Sequence, residues 1–217
     1  MKLERLDHPA RALVGLAAAI AAGSEAPIEA CCRECAGTLV PPVWVEELLL
    51  QSVLICGWPR ALTAARIWRH GGTGGRGGGA GWGAPAPERD EDGSDYHRHA
   101  EWQARGEQVC KAVYGDTYPA LRRNIHGLHP ALDSGMIMEG YGRILGRPGL
   151  DLARRELCIV AQIAVQGARR QLRSHLKGAL NVGASAAAVT ETLELVHPLL
   201  DPAEWTAVTL LWERVRQ

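Results

Sequence analysis

The chain has no phenylalanine, and only 5% of its 217 residues are aromatic, so Ala and Leu dominate its apolar content. That composition favours helices over strands. Net charge is also missing: 24 basic side chains balance 24 acidic ones. No global field is therefore available to hold nucleic acid or an anionic membrane surface. No apolar run approaches the roughly 20 residues that a membrane span requires. Residues 13–22 are apolar and follow Lys2, Arg5 and Arg11, but Glu4, Asp7, His8 and Pro9 crowd what would be the basic region of a signal peptide. Cysteines at 31, 32, 35, 56, 110 and 158 do not make a secreted disulfide framework in a chain of this size. These absences point to a soluble cytoplasmic protein with no nucleic-acid or membrane partner.

What is present is a repeat. Shifted by 144 positions, Gly23 falls on Gly167, Ile28 on Leu172, Val45 on Val189, Leu49 on Leu193 and Trp68 on Trp212. No gap is needed from about residue 12 to residue 71. The polar residues differ, because Ala12 falls on Glu156 and Cys31 on His175. A shared scaffold with unshared polar residues directs the search for chemistry to the second copy.

The chain divides into a degenerate N-terminal repeat over 1–70, a Gly/Pro-rich linker over 71–96 and a C-terminal repeat with preceding helices over 97–217. Prolines at 9, 41, 42 and 59 punctuate helix starts in the first copy, and 43–56 carries an apolar stripe at 45, 48, 49, 53 and 56. In the linker, nine of the thirteen residues from Gly71 to Gly83 are glycine. Such a segment buries too little to offset its ordering entropy, and Trp82 is its one candidate anchor. Helices are expected over 99–113 and 130–146, with a connecting stretch in which His126 and His129 occupy a turn. Asp151 should cap a helix over 152–166, Gly167 should end it, and further helices should cover 169–181 and 186–197. Asp201-Pro202-Ala203-Glu204 has the form of a capping box opening the last helix. The expected fold is all-α, with no significant sheet.

Two stretches carry a resemblance to a known family. One runs Tyr141-Gly142-Arg143-Ile144-Leu145-Gly146-Arg147-Pro148-Gly149-Leu150-Asp151. The other is Arg155-Glu156-Leu157 continuing to Gln171-Leu172-Arg173-Ser174-His175-Leu176-Lys177-Gly178-Ala179-Leu180-Asn181-Val182-Gly183. They resemble the carboxymuconolactone decarboxylase family within the alkylhydroperoxidase D-like superfamily, strongly over about 106–200 and more weakly in the first copy. The resemblance implies an alkylhydroperoxidase D-like helical bundle that assembles into a homo-oligomer, a trimer or hexamer. The peroxidase branch has a signature of Glu, then Cys-x-x-Cys, then His four residues later. Glu156 and His175 match it, but Ala168 and Gln171 stand at the cysteine positions, as do Ser24 and Pro27 in the first copy. This departure favours the decarboxylase branch, which needs neither cysteines nor a cofactor and acts on a small carboxylated lactone or a related intermediate of aromatic catabolism.

Glu156 and His175 lie on consecutive helices about a turn near Gly167, with an axial offset of about 6 Å at 1.5 Å per residue. A Glu–His hydrogen bond across that hairpin would fix the imidazole tautomer and suit His175 to move a proton. Glu156 could instead pair with Arg155 or Arg169. Arg143, Arg147 and Arg173 are candidate carboxylate binders, because a guanidinium matches a carboxylate in two contacts. The other chemical candidate is Cys32-x-x-Cys35 with Cys31 beside it, which would support a thiol-dependent peroxidase instead. Those cysteines lie eight positions beyond the family register and lack an aligned glutamate. A helical assembly without catalysis is the third reading.

Overall fold

A computed structural model of the protein describes residues 2–71, 82 and 90–217. In chain order its α-helices are α1 (His8–Ala22), α2 (Glu25–Gly37), α3 (Pro42–His70), α4 (Glu91–Ser94), α5 (His99–Tyr114), α6 (Tyr118–Leu128), α7 (Pro130–Gly135), α8 (Leu152–Val165), α9 (Arg169–Asn181), α10 (Ala186–Val196) and α11 (Pro202–Val215). A π-helix, Met136–Leu145, continues directly from α7. The β-type pairing among the described residues is one isolated bridge between Leu3 and Ala184. The fold is all-α.

The 144-residue shift lays α1 on α8, α2 on α9, and α3 on α10 plus α11. Equivalent positions do equivalent work. Asp7 and Asp151 both cap their helices, accepting from the backbone N–H groups of Ala10 and Arg154. Gly23 and Gly167 both turn the chain with positive φ, 86° and 68°. The Trp68 indole donates to Glu46 and the Trp212 indole to Thr190, the same position in each copy. α3 breaks at Gly57 (φ 78°, ψ 164°), whose counterpart is Asp201. There the second copy starts a new helix, with Asp201 accepting from the N–H groups of Ala203 and Glu204. Glu204 does not close the expected capping box, since its carboxylate pairs with Arg169.

The two first helices form the centre of the core. α8 buries every residue from Ala153 to Ala164, and α1 is buried along most of its length. They pack on each other, and each also packs on the third helix of the other copy, α1 against α10 and α8 against α3. A polar seam crosses this contact. Arg155, only 1% exposed, donates to Glu47 at 2.8 Å and to Gln51 at 3.3 Å, and Arg147 donates to the same Glu47 at 3.0 Å. Contrary to the expectation that no apolar run approaches the length of a membrane span, α3 is long and apolar enough to cross one by length and composition. It breaks at Gly57 and carries the polar residues Glu47, Gln51 and Ser52 buried against the second copy.

The middle of the chain departs from expectation in three places. Residues 118–128 form α6, so His126 lies in a helix, and the His129 ring caps α7 by accepting from the Ala131 N–H at 3.0 Å. The helix expected over 130–146 loosens after Gly135 into the π-helix, which packs along α5. A Cβ on Gly106 would lie 2.0 Å from the Ile137 carbonyl, and one on Gly142 would lie 2.0 Å from the Trp102 carbonyl. Only glycine allows these backbones to approach so closely.

The third departure is the linker. Residues 72–81 and 83–89, and the flexibility expected of them, lie outside the described residues. Trp82 anchors as expected, donating its backbone N–H to Trp68 at 3.1 Å with Arg33 above its ring. The acidic end is ordered. Asp92 pairs with Arg98 and Arg105 and accepts the Trp102 indole on its carbonyl, while Asp90 pairs with Arg147.

Candidate active site

The α8–α9 hairpin sets the site. Gly167 reverses the chain, which brings the middle of α9 back beside the first half of α8. His175 Nδ1 and Glu156 Oε2 lie 2.8 Å apart, and the two residues are 8% and 1% exposed. Neither competing arginine takes the glutamate, because Arg155 is held by Glu47 and Arg169 by Glu204. Gly178, almost one turn past His175, makes room for the pair: a Cβ there would fall 2.9 Å from Glu156 Oε2. A carboxylate at Nδ1 fixes the proton on that nitrogen and leaves Nε2 as the working end of the ring. No described residue hydrogen-bonds Nε2.

Beside the pair opens a cavity of about 460 Å³ whose walls include Tyr114, Arg173, Ser174, Lys177, Asn181 and Arg214. No acidic residue lines it, and its three cations have no carboxylate partner among the described residues. Tyr114 stands between the cavity and the histidine, its ring edge-on to the imidazole with centroids 6.3 Å apart. Tyr141 meets Tyr114 in the same way at 6.2 Å. Burial pushes the Tyr114 phenol up to about 12 and holds that of Tyr141 well above its ordinary value, so both stay protonated.

Of the three arginines expected to bind carboxylate, Arg173 lines the cavity. Arg143 is turned elsewhere: it donates to the Gly93 carbonyl at 2.8 Å and to Glu139 at 2.6 Å, and lies over the rings of Tyr96 and Trp102. Arg147 is held between Glu47 and Asp90. Neither is among the residues lining the cavity, and both guanidinium groups serve the fold.

The cysteines of α2 are free thiols packed into or against the core. Burial pushes the Cys32 thiol up to about 12 and Cys35 higher still. Burial and then Glu34 raise Cys31. A thiol held neutral is a poor nucleophile, so this cluster lacks the electropositive setting that redox cysteines use. Tyr114, Tyr141, Lys177 and Arg214 were not foreseen from the sequence. Lys177 could have been, since it follows Arg173 by four residues and shares its helix face. The other three reach the site only through tertiary packing.

These features define a class: an all-α protein of two fused repeats, with a buried Glu–His pair in the second beside a cation-lined cavity. The model of the carboxymuconolactone decarboxylase family matches residues 1–70 and 135–213, and the chain belongs to that family. No curated protein sequence matches it. The match takes in the whole first copy, which the sequence tied to the family mainly through the repeat. It leaves out 71–134, the stretch that carries α4, α5 and α6 and contributes Val113, Tyr114, Thr117, Leu121 and Asn124 to the cavity wall.

Proposed function

We propose that this protein is a cofactor-free decarboxylase or isomerase acting on a small carboxylated lactone or a related intermediate of aromatic-acid breakdown. One observation carries the reading: a buried imidazole, tied at Nδ1 by a carboxylate, lies beside a cavity whose charged walls are all cationic. Arg173, with Lys177 one turn further along α9 and Arg214 from α11, would draw in and orient a carboxylated ligand.

The chemistry needs little more. When the scissile carboxylate leaves as CO2, the C–C electron pair passes into the ring and onto the lactone oxygen. The imidazolium form of His175 then delivers the Nε2 proton to carbon, and solvent restores that proton. Glu156 keeps Nδ1 as a donor throughout, so Nε2 always faces the reaction. Isomerisation of a double bond would use the same nitrogen as base and then as acid.

The test is steady-state decarboxylation of a carboxylated lactone, followed by ultraviolet absorbance. His175→Ala should lower kcat by about 10²- to 10⁴-fold, the usual contribution of a general acid–base group. Glu156→Gln should lower it by about tenfold or more with KM little changed, because the glutamate orients the imidazole and does not bind substrate. Equal rates for wild type and His175→Ala would sink the reading.

A further inference from the structure

A second, smaller cavity of about 260 Å³ has walls of Arg169, Ala207, Leu210, Leu211 and Arg214. Arg214 lines both cavities, and both lie against α9 and α11. Resting on the reading above, we propose that the two cavities together take one amphipathic carboxylate. Its charged end lies among Arg173, Lys177 and Arg214, and an apolar alkyl or aryl arm runs past Arg214 onto Ala207, Leu210 and Leu211.

The two cavities differ in character on either side of Arg214. Ala207, Leu210, Leu211 and Arg214 recur at helical spacing, so they share one face of α11. Arg169, which meets that face from α9, is neutralised by Glu204, whose two carboxylate oxygens both accept from its guanidinium. The smaller cavity is therefore apolar up to the shared arginine. Leu210 is 54% exposed there, and an apolar arm would cover it. In the larger cavity Arg173 and Lys177 stand one turn apart on α9 with no carboxylate partner among the described residues.

The first copy shows that the scaffold does not require this arrangement. On the 144-residue shift, Glu29 and Arg33 stand at the positions of Arg173 and Lys177, and they pair with each other at 3.0 Å. Glu25 and Arg66 stand at the positions of Arg169 and Leu210, and they pair between α2 and α3 at 3.1 Å. Ion pairs thus cover both places in the first copy. In the second, an arginine replaces one glutamate and a leucine replaces one arginine. What remains is a like-charged pair at i, i+4 spacing, which repels, and a leucine facing water. One anionic group with an apolar arm relieves both.

Titration calorimetry of the full chain with straight-chain carboxylates, from butanoate to decanoate, tests this without turnover. Affinity should rise by up to about fourfold per added methylene. The rise should level off once the arm passes Ala207, about 10 Å along α11 from Arg214. Leu210→Ser should flatten it to less than about twofold per methylene. Arg173→Gln should weaken every member about equally and keep the rise. Both side chains are exposed, so neither change threatens folding. Affinity that does not rise with length would overturn the apolar arm and leave the decarboxylase reading to its own assay. An unchanged rise in Leu210→Ser, with an assembly of the protein broken up in sedimentation, would also overturn it, because the leucine would then belong to a contact between copies. A rise that depends on Leu210, with wild type and His175→Ala turning over equally, would keep the amphipathic ligand and remove the reaction proposed above.

Discussion

At the scale of single residues, the comparison between copies is most telling where they differ. Gly183 follows α9 with φ 104°, and its counterpart after α2 is Leu39 with φ 56°. A leucine in the left-handed region costs about 1–2 kcal/mol, and Leu39, 84% exposed, recovers little of it through packing. Leu39→Gly should therefore raise stability by about 1 kcal/mol after its own entropy cost, seen as a melting temperature higher by about 2–4 °C. The Glu156–His175 pair was legible in the sequence because the family signature picked out the two residues and the arithmetic of two helices about one glycine turn brought them within reach. The partners of Arg143 and Arg147 were not. An arginine shows its charge in the sequence but not its choice of partner, and Glu47 lies 100 positions from Arg147.

Among the elements, helix ends were the most legible feature. Asp151, Gly167, Gly183 and Asp201 marked the ends of α8, α9 and α11 to within a residue or so, because caps and positive φ are chemical signals. α6 was missed because Gly115, Pro119, Gly127 and Pro130 suggest a connecting stretch, while its helix is secured from outside, where Arg122 pairs with Asp133 of α7. The π-helix left no periodic signature of its own. Its fit against α5 gives an element-level prediction. Gly142→Ala should destabilise the protein by about 3 kcal/mol, or prevent folding, since both colliding atoms belong to backbone. Gly135→Ala, with nothing within 4 Å of its would-be Cβ, should be neutral or stabilising by up to about 1 kcal/mol. Urea denaturation of the two variants side by side separates the packing effect from helix propensity.

Across the whole molecule, the repeat is both visible in the sequence and central to the structure, because one core serves both copies. What the sequence could not show is the seam that registers them. Glu47 from the first copy sits between the guanidinium groups of Arg155 and Arg147 from the second part of the chain, 4% exposed. Glu47→Gln should lower stability by about 3–5 kcal/mol in guanidinium denaturation, because it leaves a buried cation without its counter-charge. Glu213→Gln, which breaks the exposed pair with Arg216, should change stability by less than about 1 kcal/mol.

Under the proposed function, the chemistry also divides along the chain, with a scaffold in both copies and the Glu156–His175 pair in one. Paired assays on a single preparation test this most directly: lactone decarboxylation, and peroxide consumption with a dithiol donor. Each would be run on wild type, His175→Ala and a Cys31/Cys32/Cys35→Ser triple variant. The account predicts lactone turnover that is lost in the histidine variant and kept in the cysteine variant. Peroxide turnover lost in the cysteine variant and kept in the histidine variant would contradict it and move the chemistry to α2.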